Sequence, residues 1–147
     1  MKLAIGSDHA GFALKETVKT WLQERGHEVT DYGTSFEEST DYPDYAHPVA
    51  TSVEEGGAEL GILMCGSGNG INMTANKHQG IRAALCWTSE IAEMARLHNN
   101  ANVLSMPARY IPESEALAIL ETFISTSFEG GRHERRVNKI SQQETNC

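Results

Sequence analysis

The chain is 147 residues long and has no apolar run near the ~20 residues that a bilayer-spanning helix requires. Before Ser7-Asp8-His9 it has one lysine and a few apolar or small residues, too short for the apolar region of a secretory signal. Cysteine is scarce. Cys65, Cys86 and Cys147 have no Cys-x-x-Cys spacing, which points to reduced thiols in a cytoplasm and not to a disulfide frame. Positive charge is scarce too. Twelve Lys and Arg against 20 Asp and Glu give a formal net charge of −8, which argues against nonspecific binding to nucleic acid. Repeats, low-complexity stretches and internal linkers are absent, and the length suits one domain over 1–147 with a sizeable core.

What the chain does have is a focal stretch, Leu60 to Gly70. A short apolar run ends in the thiol of Cys65, and three glycines follow at alternate positions, Gly66, Gly68 and Gly70, with Ser67 between the first two. Such a run bounded by glycine reads as a buried strand. Ile71 to Lys77 can begin a helix. Strand, glycine loop and helix start together make an anion site, because backbone N–H groups converge there and the helix dipole helps. The spacing fits neither the P-loop, since no Gly-Lys-Ser/Thr follows, nor the dinucleotide fingerprint. A lone cysteine at a strand end is most often core, so the case for chemistry rests on what stands beside it.

In chain order, Leu3 to Ile5 reads as a strand that turns out through Gly6 to Gly11. A helix follows with Leu14, Val18, Trp21 and Leu22 inward and Gly26 closing it. Asp8 and His9 thus stand at the carboxyl end of the first strand, where Asp8 can cap the helix or meet a ligand. Glu28 to Tyr32 is a second strand. Asp41 to Pro48 reads as a polar, proline-rich link, and Val49 to Val53 as a short helix. Tyr42 can cover a ligand or pack with its hydroxyl in water. Ile81 to Cys86 is a fourth strand with Cys86 in the core, and Thr88 or Ser89 caps a helix whose apolar face is Ile91, Met94, Ala95 and Leu97 or Ile91, Ala92 and Ala95, and which ends at His98-Asn99-Asn100. Val103 to Met106 is a fifth strand leading to Arg109, and Pro112 opens a helix with Leu117, Leu120, Phe123 and Ile124 inward. The stretch Glu129 to Ile140 gathers much of the positive charge. If helical, it sets Arg132 and Arg136 on one face as a phosphate clamp or a solvated surface, and Ser141 onward is a frayed tail.

Alternating strands and helices predict an α/β fold with a five-stranded parallel sheet covered on both faces. In the common order 2-1-3-4-5, strands 1 and 3 are neighbours, and ligands bind outside the carboxyl ends at that switch point. Asp8-His9 and Cys65 to Gly70 then meet in one crevice. His98 follows a helix and precedes a strand, so it belongs to the opposite end of its own sheet. If it serves this crevice, it comes from a second subunit.

The motifs Gly6-Ser7-Asp8-His9-Ala10-Gly11, Asp41-Tyr42-Pro43, Cys65-Gly66-Ser67-Gly68-Asn69-Gly70, Ala75-Asn76-Lys77, Gly80-Ile81-Arg82-Ala83, His98-Asn99 and Glu129-Gly130-Gly131-Arg132-His133 resemble the ribose-5-phosphate isomerase B family. Its wider group includes galactose-6-phosphate and allose-6-phosphate isomerases, and the resemblance runs from about Met1 to Ile140. It implies a Rossmann-like three-layer α/β/α sandwich, a homodimer with a shared active site or a tetramer, a small sugar phosphate as substrate, and no metal or other cofactor. Carried over by position, Cys65 is the base that moves the proton between C1 and C2, His98 opens the furanose ring, and Ser67 lies near the two substrate oxygens. Asp8, His9, Gly66, Ser67, Gly68, Asn69, Gly70 and Asn99 are substrate contacts, and Arg109, Arg132 and Arg136 grip the phosphate. One branch of the family lacks the cysteine and uses a Glu just after the glycine loop; here that position is Ile71.

The chemistry these roles describe is aldose–ketose isomerisation through a cis-enediolate. Cys65 serves only as thiolate, a minor fraction at neutral pH for a free thiol of pKa about 8.5. The loop N–H groups and helix start are expected to lower that pKa and to stabilise the enediolate oxygen. Ser67 can relay a proton between the two oxygens, and His98 can act as general acid. Competing readings are a hexose-6-phosphate or free-aldose isomerase and, from a different class, a non-catalytic sugar-phosphate sensor that needs the crevice and arginines but not the thiol.

Overall fold

The structure is a computed structural model and describes residues 1–141. Residues 142–147, with Cys147 and all but the first residue of the expected tail, lie outside the described part. Five strands form one parallel sheet: β1 (Lys2–Ser7), β2 (Glu28–Asp31), β3 (Leu60–Cys65), β4 (Ala83–Leu85) and β5 (Val103–Pro107). Among the described residues six α-helices accompany them: α1 (Phe12–Glu24), α2 (Pro43–Glu54), α3 (Asn69–Ala75), α4 (Ser89–Asn99), α5 (Glu113–Ser125) and α6 (Arg132–Asn138). Among the described residues no helix is long and apolar enough to cross a membrane.

The central strands are apolar runs because both of their faces are covered. Every residue of β3 and β5 is buried. Leu3, Ile5, Ile62, Met64, Leu104 and Met106 pack on one face with Val18 and Leu22 of α1, Ala92 of α4 and Leu120 and Phe123 of α5. Ala4, Leu63, Cys65 and Val103 pack on the other with Val49 of α2 and Ile71 of α3.

The sheet order is β2-β1-β3-β5-β4. The expected three-layer architecture and the β2-β1-β3 half are present. The last two strands are exchanged: β5 lies beside β3, and β4 forms the edge. The strand lengths fit this. The fully buried β5 takes the interior place, whereas β4 has only three residues, all half-buried, within the longer Ile81 to Cys86 run that the sequence suggested. The chain therefore steps outward past one position from β3 to β4 and back from β4 to β5. Right-handed crossovers then place α2 and α3 on one face and return α4 to the face of α1, as the two core clusters show. The β1/β3 switch point is unaffected.

Two helices differ from the sequence reading. The Asp41–Pro48 link is mostly helical, because Pro43 occupies the first turn of α2, where a missing N–H costs little, and Pro48 is carried inside the helix. In α4, Thr88 caps Ile91 N at 3.2 Å as expected, but Ile91 itself is exposed and Ala92 and Ala95 face the core. Among the described residues the most deeply buried charged side chain is that of Lys15. Lys15, 1% exposed, lies in the apolar stripe of α1, with its ammonium 2.6 Å from Asp31 and 3.1 Å from Glu16.

Candidate active site

The carboxyl ends of β1, β3 and β5 carry the site. β3 ends at Cys65, and the chain turns at Gly68, whose φ of +78° favours glycine, before α3 starts. A Cβ on Gly68 would stand 3.1 Å from the carbonyl carbon of Met106, and a Cβ on Gly11 2.6 Å from the carbonyl oxygen of Met64. These glycines let the β1 and β3 turns close on the sheet. Tyr42, at the mouth of α2, lies over Gly70 so closely that a side chain at Gly70 would strike its ring. From β5, Arg109 N donates to Gly66 O at 3.0 Å, and its guanidinium packs over Gly66.

Cys65 is 4% exposed. Burial pushes its thiol pKa up. The backbone N–H of Ile71 works against burial, as do those of Gly68 and Gly70 more weakly, while the Asp8 carboxylate adds to the rise. The net direction is upward, opposite to the expected lowering, because the strand end is more deeply covered than the glycine loop alone suggested. Cys86 is a core thiol, as expected, with a pKa raised to about 12 by burial.

Asp8 does act as a cap. Its Oδ1 accepts from Ala10 N at 3.0 Å and Gly11 N at 3.2 Å, opening a single 3-10 turn, His9–Gly11, ahead of α1. His9 is half-buried and is held by Thr40, whose N donates to His9 Nδ1 and whose Oγ1 accepts from His9 N, both at 3.1 Å. Ser67 Oγ accepts from Asn69 N at 3.3 Å and Asn69 Nδ2 at 3.2 Å, which leaves its own O–H free to donate.

The other predicted residues stand elsewhere. His98 and Asn99 end α4 beside the start of β5, at the amino ends of the strands. Arg132 and Arg136 are exposed on α6, which packs against α4. Strands of five or six residues separate the two ends by roughly 17–20 Å. The structure thus brings together Asp8, His9, Tyr42, Cys65 to Gly70 and Arg109, and keeps His98, Asn99, Arg132 and Arg136 apart from them. A cavity of about 450 Å³ also lies away from Cys65, between the α3–β4 loop, β4 and α4, and Asn99 lines it.

The distant group is a basic cluster. The His98 and His133 rings stack at 4.2 Å, and His98 Nε2 lies 3.8 Å from Glu129 Oε2. His133 is buried, with no partner for Nε2. Burial and then His98 push its pKa down, with Arg132 and Arg136 acting in the same direction and Glu129 against it. His98, Glu129 and His133 could offer three metal ligands within 4.8 Å of one another. Parallel rings do not converge their lone pairs on one ion, however, and the neighbouring arginines suit an anion better.

A family model described as Ribose/Galactose Isomerase matches residues 3–140. The chain belongs to this family. Ribose-5-phosphate isomerase B of Escherichia coli (strain K12) is 45% identical over 140 residues, covering 95% of this chain and 94% of the relative. A crystal structure of a ribose 5-phosphate isomerase from Thermotoga maritima matches with a TM-score of 0.94 at 54% identity, covering 95% of this chain and 97% of that one. The crystal structure of ribose-5-phosphate isomerase B from Mycoplasma genitalium with bound ribulose-5-phosphate matches with a TM-score of 0.94 at 41% identity, covering 99% and 97%. Within the family's fold, Thr40 is the neighbour of the site that the sequence did not mark. It lies in an aperiodic loop, and nothing in its surroundings announces a contact 31 residues away.

Proposed function

We propose that the chain is an aldose–ketose isomerase that interconverts D-ribose 5-phosphate and D-ribulose 5-phosphate through a cis-enediolate, with Cys65 as the base. The observation that carries this reading is the thiol at the end of β3 beneath the glycine-loop N–H groups, in a family whose relatives include ribose-5-phosphate isomerases B. The thiolate takes the proton from C2, or from C1 in reverse. The loop N–H groups stabilise the negative oxygen that develops, a contribution of about 3 kcal/mol for one well-placed donor. Ser67 passes a proton between O1 and O2, and Asp8 fixes the turn beside the thiol. Because burial raises the Cys65 pKa, few thiolates exist at neutral pH but each is a stronger base, and turnover rises as pH increases.

In this proposal the site is shared. His98, as ring-opening acid, and Asn99, Arg132 and Arg136, as substrate and phosphate contacts, come from a second copy of the chain in a homodimer, because their own sheet holds them at its far end. Phosphate held at a distance from the reacting carbons then contributes its binding energy to positioning them.

The test is turnover of ribose 5-phosphate by the purified protein in a chelator, beside allose 6-phosphate, galactose 6-phosphate and free ribose. Preference for ribose 5-phosphate supports the reading; preference for a hexose phosphate replaces the substrate; binding without turnover favours the sensor. Mixing inactive Cys65→Ala and His98→Asn chains tests sharing. Regain of about a quarter of the wild-type activity is expected from random re-pairing of a two-fold dimer, and no regain refutes the shared site.

A further inference from the structure

We infer that Thr40 is a positioning residue for His9, holding its imidazole as the tautomer with the proton on Nε2 and leaving that N–H as a fixed donor in the crevice. A backbone N–H only donates, so the Thr40 N–His9 Nδ1 bond at 3.1 Å requires a lone pair on Nδ1. A neutral imidazole then carries its single proton on Nε2. The second bond, from His9 N to Thr40 Oγ1, runs in the opposite direction at 3.1 Å. The first bond sets the tautomer and the second ties the His9 backbone to the same residue, which keeps the Thr40 N–H aligned on Nδ1; among the described residues no hydrogen bond occupies Nε2.

The segment carrying Thr40 is tied down on both sides. Toward β2, Asp31 Oδ1 accepts from Gly33 N at 2.8 Å, Ser7 N donates to Gly33 O and Thr34 N to Ser7 O, both at 2.7 Å. Toward α2, Tyr42 lies over Gly70. The β2–α2 connection therefore works as a strap across the crevice, and Thr40 is the point at which it grips a candidate substrate contact. An oxygen of the sugar phosphate accepts from Nε2–H; that part rests on the isomerase reading.

The test combines a spectrum with kinetics. In nitrogen-15 NMR at a pH of about 8, where free imidazole is neutral, His9 of the wild type is expected to show an unprotonated Nδ1 and a protonated Nε2. Thr40→Val keeps the backbone N–H that faces Nδ1 and the side chain's shape but removes the Oγ1 acceptor that anchors the two residues together, so the N–H leaves Nδ1 part of the time. The variant is expected to mix the tautomers and raise KM for ribose 5-phosphate roughly three- to tenfold, the size of one lost hydrogen bond, with kcat changed less. Thr40→Ser restores both. A proton on Nδ1 in the wild type overturns the proposal, as does a Thr40→Val protein with wild-type tautomer and KM. If the wild type turns over no ribose 5-phosphate, the isomerase reading fails, and the spectra alone still decide the role of Thr40.

Discussion

Replacing Gly68 by alanine probes the turn that aims the loop N–H groups at Cys65. Two costs can be separated. The first is backbone strain: φ is +78°, and an L-residue in the left-handed region costs about 1–2 kcal/mol. The second is space. The new Cβ stands 2.5 Å from Leu85 Cδ1, which can swing away, but also 3.1 Å and 3.2 Å from the carbonyl carbon and oxygen of Met106, which cannot move without shifting β5. Overpacking of this kind adds about 1–3 kcal/mol. The expected loss is about 2–5 kcal/mol in urea unfolding, set against the ~5–15 kcal/mol of a typical domain. Gly26→Ala is the control, since φ is +82° there and no atom lies within 4 Å. It should show the strain cost alone. Displaced N–H groups should also lower kcat by roughly 10²-fold, the size of one lost donor. The reasoning is refuted if Gly68→Ala unfolds at the same urea concentration as Gly26→Ala and keeps wild-type kcat.

Asp8→Asn keeps an oxygen to cap Ala10 and Gly11 but removes the charge that helps to raise the Cys65 pKa, so the rising limb of kcat/KM against pH should move to lower pH; a limb that stays in place contradicts the coupling. Lys15→Ala leaves Asp31 with Lys19, 2.9 Å away, as its remaining cation, beside the Gly33 N–H. Losing one partner of a fully buried pair costs ~3–5 kcal/mol, so about 2–4 kcal/mol is expected here. Burial raises the Asp31 pKa, but Lys15, Lys19 and Gly33 N–H outweigh it and hold it below the ordinary value. A depressed carboxylate stabilises the fold above its unfolded pKa of about 3.9 and loses that contribution as pH falls through its folded pKa. The gap between wild type and Lys15→Ala should therefore be widest near neutrality and close below about pH 4 in thermal melts.

Which features were legible in the sequence follows from the range of the forces involved. β3 could be read because a strand covered on both faces must be apolar throughout, and Leu60 to Cys65 is. The crevice could be read because it depends only on β1 lying beside β3. The order of the far edge depends on how many positions a crossover skips, which no periodicity encodes, so β4 and β5 were exchanged. Lys15 occupies an apolar position of α1 because Asp31, on another element, comes alongside. The Cys65 shift runs against the sequence expectation for a related reason. The N–H donors are local and visible as glycines, whereas the burial that outweighs them is a property of the assembled sheet and of α2 and α3 above it. The placement of His98 at the far end followed from chain direction alone, which is why its distance from Cys65 was legible.

The most direct measurement is the turnover of ribose 5-phosphate labelled with deuterium at C2, by wild type, Cys65→Ala and Cys65→Ser, with binding of the same substrate followed by calorimetry. The account predicts a rate slowed by the heavy isotope and loss of label to water in the wild type, and no turnover but near wild-type binding in both variants. Retained turnover in Cys65→Ala, or a wild type that carries all of the label from C2 to C1 and releases none to water, would contradict it.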